Sequence, residues 1–586
     1  MNRPGVAPVL AALSAALLPW ACADESDDRP AATTASGGGT SGGTTSSGTS
    51  STTSSSTSGQ GGAATTTGAG GGGESGWRSA LYPASWTPAF QTTDGHRIHD
   101  FSYAGYQNGE APIGVPVVST TYDVVAGYGA DSTGGSDATA PVQAAIDAAA
   151  TAGGGVVVFP AGLYRFDGRL WVTASNVVLR GAGSDQSKLY FTSSTGMSHQ
   201  SHITFRGALG QDGDLLLAYD APAYGSVVEL WDASSLSVGD DVVIGWQITS
   251  AFVFDHQMAG TWDNAGAPFF DTWQPFFRRQ VIGVDTSTAP HQVTLDVPLR
   301  YPALGRDSAS LRRETGFIEQ CGIEELSLGN AVAWSDAWAQ DQVHVLQIEG
   351  CKDCWMRNVA SFDPPSGPTS GRGQDDHLQS GGLIVRSSKR VTIADSELSR
   401  AEHKGGGGNG YLFEVRQSSE VLFRDLVADY GRHGFIENWG FGVTGCVWLR
   451  VESAHGNCWI NESFAGLPCY SEFHHSLSIA NLIDSSRFDD GWSIVNRGSE
   501  STYAGHTGTQ NVIWNTSGNG LLRSRQQGWG YVVGTDGSIT VQTDPNDLLG
   551  TGIGTAPEDW TEGIGDGATL RPQSLYEDQL ARRLGR

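Results

Sequence analysis

The feature that most limits the fold is a unit of about thirty residues that recurs through the middle of the chain. "GLIVRSSKRVTIADSELS" (382–399), "YLFEVRQSSEVLFRDLVAD" (411–429), "FIENWGFGVTGCVWLRVES" (435–453), "FHHSLSIANLIDSSRF" (473–488) and "AGHTGTQNVIWNTSGNG" (504–520) each carry a few apolar residues at alternate positions and then a polar turn. A unit this small cannot bury an apolar face alone. The units must therefore stack, with strands about 4.8 Å apart around one continuous core. This predicts an all-β solenoid in which residues one repeat apart in sequence become neighbours in space. Laying Val391 on Val421 puts Asp395 on Asp425 and His403 on His433. At the same spacing "GFIEQCGIEELSLGN" (316–330) aligns with "QIEGCKDCWMRN" (347–358), which stacks Cys321 on Cys351 as a disulfide or a buried ladder.

The chain of 586 residues divides by composition. Residues 6–21, behind Arg3, form an apolar run too short to span a bilayer, and 1–23 reads as a secretion signal. Cys22 is read either as a lipidated residue, giving a surface lipoprotein, or as part of an ordinary cleavage site "ACA" (21–23). The segment 24–78 is a linker whose Gly, Ser, Thr and Ala cannot bury enough apolar area to offset chain entropy. The solenoid is expected over 79–550 and a tail or cap over 551–586.

Three arginines against five acids in 1–78 leave about −25 of the formal −27 charge on the body. Such a body does not bind nucleic acid by neutralising phosphates. It also repels a polyanionic sugar unless basic groups or a bound cation intervene. Cys458 and Cys469 bracket a short loop and are spaced to staple it in an oxidising compartment.

The sequence "TAPVQAAIDAAATAG" (139–153) predicts a helix, with Thr139 as cap, Pro141 in the first turn and Gly153 at the end. Short strands follow it in "GVVVFPAGLYRF" and "SNVVLRGAG". The whole stretch "YGADSTGGSDATAPVQAAIDAAATAGGGVVVFPAGLYRFDGRLWVTASNVVLRGAG" (128–183) resembles the opening of the pectate-lyase-like superfamily of right-handed parallel β-helices, in which a short helix caps the first coils. The resemblance implies that fold. It leaves the activity open, since lyases, hydrolases, epimerases and phage tailspikes share it. The segment 251–280 breaks the repeat with crowded Phe and Trp, and reads as an insertion that either walls a cleft or plugs the side of the solenoid.

Stacked coils turn the histidines into a surface. His403, His433, His455 and Asp490 fall in turns on one side, joined by Tyr430 and Arg432. Glu437, His474, His475 and His506 come at or near corresponding places on the adjoining strand, with Trp439 and Trp492 close in sequence. Such a face suits a long polysaccharide, and histidine exchanges protons near neutral pH. The expected activity is β-elimination on a uronic-acid glycan. His433 is then the base, Arg432 the charge-neutralising group and Tyr430 the proton donor, with His403 and His506 in support. Glu437, His455, His474, His475, Trp439 and Trp492 are substrate-binding candidates.

The order of "DDG" (489–491), "GHTG" (505–508) and "RSR" (523–525) resembles polygalacturonase-like hydrolases. That resemblance implies Asp490 as general acid, with Asp489 activating water and His506 beside them. A third reading is a carbohydrate-binding solenoid without catalysis. Asp375 and Asp376, on a Gly-rich loop, are the candidate ligands for a calcium ion.

Overall fold

A computed structural model describes residues 76–545 and 557–586. The expected leader and nearly all of the linker lie outside the described residues. Short strands wind through successive coils and pair in parallel with their counterparts in the next coil. One long sheet follows the coils from Thr121–Asp123 to Trp560–Glu562. A ten-stranded sheet follows a second side, from Leu170–Val172 to Thr540–Gln542. The third side is a narrow ladder of bridges, Lys352 to Lys389 to Ser419 to Thr444 to Ile479. The molecule is a parallel β-helix.

Inward side chains stack coil on coil. Phe423 lies 3.9 Å from Trp448 and nearly parallel to it, and Phe413 lies 5.4 Å from Phe435. Trp492 closes this interior stack and is fully buried, so it cannot touch a polymer lying outside. The helix Thr139–Thr151 packs its Val142, Ala145, Ile146 and Ala149 onto the first coils. Its start differs from the expected one: Thr139 is the first helical residue, Ala138 holds the cap position, and the Asp137 carboxylate accepts the N–H and hydroxyl of Thr139.

The registers bear out one alignment and correct another. Ile393 pairs with Phe423, as the thirty-residue spacing requires, so Asp395 does stack over Asp425. However, Ile318 pairs with Cys351 and Gly322 with Trp355, a spacing of 33, which sets Cys321 over Cys354. Cys321, Cys351 and Cys354 are free, buried thiols. The Cys458–Cys469 disulfide is present.

The insertion is larger than its aromatic run. Asp241–Gln247 pairs antiparallel with Trp273–Asp285 and with Ser310–Thr315. Trp246, Phe252, Trp262, Phe269 and Phe276 are buried in a core of its own, which docks on Phe441, Leu477 and Ile479 of the solenoid. These rings plug rather than wall a cleft. A buried cluster of charge makes the same junction: Glu420 of the solenoid accepts from Arg300 Nε at 2.9 Å and Nη2 at 2.6 Å, with Arg279 at 3.3 Å.

The outer face of the long sheet is apolar, and the chain covers it with its own beginning. Trp77 bridges Leu570, Tyr82 meets Trp514 at 5.9 Å, and Gly105 donates to the carbonyl of Glu420. Tyr106 and Gln107 reach Thr392 and Asp353. The segment 77–107 is thus a strap that runs from the last coil back to the middle of the solenoid. The helix Leu575–Leu584 holds it down: Tyr576 donates to Ala104 O, and Gln579 bonds both His99 O and Phe101 N. This end is therefore not a loose tail, and the last coil passes residue 550, because Trp560–Glu562 pairs with Tyr531–Thr535.

Candidate functional site

With the strap over the long sheet, the ten-stranded sheet is the face left for chemistry. His433 opens the strand His433–Glu437, and its partner across the coil is Tyr411, only 22 residues back. The Gly-rich turn 405–410 lengthens the preceding coil, so His403 sits ahead of that turn rather than in the His433 column. His403 packs instead on Trp338, with ring centroids 4.2 Å apart.

The next strand, Ser471–Phe473, supplies Glu472, and His474 follows it. His433 accepts nothing at Nδ1, because that atom donates to the carbonyl of Tyr470 at 2.5 Å. In neutral imidazole the lone pair is therefore on Nε2, which lies 3.4 Å from Glu472 Oε1 and finds no hydrogen-bond partner among the described residues. Two acceptors then face each other. A proton, a cation or a polar hydrogen of a bound molecule would relieve this contact. His474 Nδ1 meets both Glu472 and Arg497, and Arg497 also donates to His474 O at 3.1 Å. The Arg497 guanidinium stands 3.6 Å from Glu472.

Burial pushes His433 down to about 4 and His474 to about 3, with Arg497 adding to both shifts. Burial works to raise the Glu472 carboxyl, but Arg497, His433 and His474 outweigh it and hold it well below the usual range. At neutral pH the cluster is thus a carboxylate paired to an arginine, between two uncharged imidazoles. Tyr411 borders it, 5.2 Å from His433 and 6.1 Å from His474. Arg432 lies 5.8 Å above the Tyr411 ring and donates to Gly405 O. Arg523 covers Tyr470 from the following coil.

His433, Glu472 and His474 also offer one ligand atom each, all within 4.8 Å of one another. Two nitrogens and one carboxylate suit a zinc-like ion better than calcium, which prefers oxygen. The expected calcium pair is not built as a cage: Asp375 is at the surface, and Asp376 is half-buried near Lys404 and Arg400.

Other expected residues separate from this cluster. Tyr430 stacks on His455 at 4.5 Å, and His455 bonds Asp429 on the outside. Glu437 points inward: it is fully buried, accepts from Trp448 and Asn481, and is raised to about 8 by burial, so it does not bind substrate. His475 is buried with both nitrogens bonded, to Asn438 and Ser501, and half-exposed Trp439 stacks on it at 4.2 Å. His506 is buried against Trp262 of the insertion.

Asp489 and Asp490 point different ways. Asp489 is tied to Arg487 and Asn519, which together overcome burial and lower its pKa. Asp490 is raised to about 6 by burial and bonded to Ser453, whose hydroxyl is 3.4 Å from that of Ser471 beside Glu472.

Glu472, Arg497, Tyr411 and Tyr470 escaped the sequence reading. Glu472 had a signal in "SEFHH" (471–475), because residues two apart on a strand share a face. Arg497 had none.

A second group of ionisable side chains lies one loop away. Glu402 is buried, accepts from Val332 N with one oxygen, and is raised to about 9 by burial. Folded, it stays protonated to about pH 9, whereas unfolded it ionises near 4.5, so wild-type stability falls as pH rises through that window. Glu402→Gln stays neutral throughout. Its melting temperature is expected to gain on wild type between pH 5 and pH 8, and a difference independent of pH would refute the assignment.

Residues 124–219 match the family described as rhamnogalacturonase A/epimerase, pectate lyase-like. No curated protein matches the chain. Among solved structures, the chain is similar to the tailspike gp61 of Pseudomonas phage phi297, at 12% identity over 76% of this chain and 80% of that one, with a TM-score of 0.39. It is similar to the tailspike gp49 of Pseudomonas phage LKA1 at 14% identity, covering 75% and 78%, with a TM-score of 0.35. The A-module of the Azotobacter vinelandii mannuronan C-5 epimerase AlgE6 matches at 14% identity, covering 77% and 99%, with a TM-score of 0.25. The parallel coils, the helix on the first of them and the family match over residues 124–219 agree on a pectate-lyase-like parallel β-helix fold.

Proposed function

We propose that the protein is an exported enzyme acting on a polysaccharide, and that it cleaves a uronic-acid glycan by β-elimination at the His433–Glu472–His474 cluster. The observation that carries this reading is the bare Nε2 of His433, fixed by the Nδ1 bond to Tyr470 O and kept unprotonated at neutral pH by burial and two arginines. That is the state a general base needs. In the reaction His433 Nε2 takes the C5 proton, the electron pair forms the C4=C5 double bond, and the C4–O bond breaks. The departing oxygen takes a proton from Tyr411, which replaces Tyr430 in the donor role because it borders His433. Arg497 releases Glu472 and turns to the uronate carboxylate, whose charge grows as C5 loses its proton. Trp439 offers a ring face to a neighbouring sugar. Calcium has no part in this scheme, since arginine supplies the positive charge.

One observation favours a second reading, hydrolysis. Asp490 at about 6 and Asp489 below its usual value are two carboxyls with environments that push them apart, as an acid and a base require. A single screen separates the two. Residues 77–586, with and without calcium, are incubated with polygalacturonate, rhamnogalacturonan, alginate and a neutral glucan, and ultraviolet absorbance is read beside reducing ends. Elimination gives both signals in step on a uronate polymer. Reducing ends without absorbance, lost in Asp490→Asn, would replace elimination by hydrolysis.

A further inference from the structure

Beside the cluster, the hairpin formed by Asn457–Asn461 and Phe464–Pro468 folds back across the coils, closed at its base by the Cys458–Cys469 disulfide. It is anchored at three places. Asn457 N donates to Gly431 O and Trp459 N to Lys404 O, while Arg372 donates to the carbonyls of Glu462 and Ser463. This brings Trp459 to the short helix Trp334–Trp338. The three indoles meet with centroids 5.2 to 6.1 Å apart and planes tilted by 39 to 58°. All three are half-buried rather than covered.

Two features show that this patch is more than packing. Trp338 Nε1 is buried and finds no hydrogen-bond partner among the described residues, and the same is true of Glu402 Oε1. Both Glu402 Oε1 and Trp334 border Gly373, so the unpaired carboxyl oxygen lies beside one edge of the aromatic patch. Polar atoms left unpaired in an interior are costly, and their retention beside exposed ring faces points to a ligand.

The patch is also continuous with the catalytic row. Trp338 carries His403, His403 adjoins Gly405, and Gly405 O accepts from Arg432, the neighbour of His433. An indole face matches the C–H face of a pyranose ring, and Asp336, on the same short helix as two of the indoles, disfavours a sugar carboxylate.

We propose that Trp334, Trp338 and Trp459 form a stacking subsite for an uncharged sugar unit of the polymer whose uronate lies at His433. The proposal rests on the reading of the site above as a polysaccharide site. It deepens that reading, because it makes the substrate a glycan that carries neutral residues as well as uronates. The arrangement also gives the disulfide a task, which is to hold the Trp459 hairpin against the other two indoles.

The test is binding, measured in the His433→Ala background so that turnover does not interfere. Electrophoretic retardation in gels containing rhamnogalacturonan, polygalacturonate, alginate or xyloglucan is compared for that protein and its Trp338→Ala, Trp459→Ala and Trp338→Phe derivatives. The expected result is retardation strongest in rhamnogalacturonan or xyloglucan, weakened about fivefold to tenfold by either alanine and largely kept by phenylalanine, which retains a stacking face. Equal retardation of parent and alanine variants would overturn the subsite. So would binding confined to the purely anionic polymers, or no retardation in any gel. Absence of an ultraviolet product from the wild-type protein in the screen above, with tryptophan-dependent retardation intact, would sink the elimination chemistry and leave the subsite standing. The reverse pattern would do the opposite.

Discussion

His433→Ala is expected to lower kcat/KM by about 10²- to 10⁴-fold, the usual contribution of a positioned general base, with circular dichroism unchanged. The substitution removes one hydrogen bond to Tyr470 O, worth about 1 kcal/mol, and no core contact of the interior stack. The pH dependence is the sharper part of the expectation. A histidine of ordinary pKa loses base character below about 6.5, but burial, Arg432 and Arg497 move this one to about 4. Protonated it cannot accept the C5 proton, so kcat/KM of the wild type should rise with pH through about 4 and be flat across the range in which an unshifted histidine would titrate. An acid limb near 6.5, or an alanine variant retaining a tenth of wild-type activity, would mean that the base is another group.

The second large effect concerns stability. Glu420 is almost fully buried and is the only carboxylate that the structure pairs with both Arg279 and Arg300 among the described residues. Glu420→Ala leaves two guanidinium groups in a dry junction with their counter-charge gone. Breaking a buried pair from one side costs about 3–5 kcal/mol, far more than the pair itself contributes. Thermal unfolding followed by calorimetry should show a large fall in melting temperature. Because both arginines belong to the insertion, protease susceptibility should appear first in residues 210–315. Arg300→Met in the same background should recover part of the loss, since it removes one of the stranded charges. If Glu420→Ala melts like wild type, the junction is wet and the pairing carries little weight.

The repeat made the coil legible because a β-helix repeats its strands at nearly fixed spacing, and Ile393 over Phe423 obeys that spacing. It failed where turns differ in length. Eight fewer residues between Tyr411 and His433 than in a thirty-residue repeat were enough to move His403 out of the column, and three extra moved Cys321 from Cys351 to Cys354. Facing direction was the other obstacle. Glu437 and Trp492 lie on the right strands, yet both point inward, and the column that a residue occupies does not by itself say which way its side chain faces. The histidines were visible as a group because their residue type is rare and they cluster. The partners that decide their chemistry, Tyr470 through a backbone carbonyl and Arg497 from an irregular loop, leave no pattern in a single sequence.

The strap has a consequence for how such a chain is completed. Its residues emerge before the solenoid they cover, and the surface they need is assembled from Thr392, Leu422, Val447, Leu482, Val512 and Tyr531, hundreds of positions later. Through all of that synthesis an apolar ribbon with Tyr82, Trp86 and Phe101 has no native place to rest. The helix that pins it is the last element described in the chain. Coils can be added one upon another as they arrive, but the seam along their side can close only at the end, like a zip whose pull is attached to the final stitch.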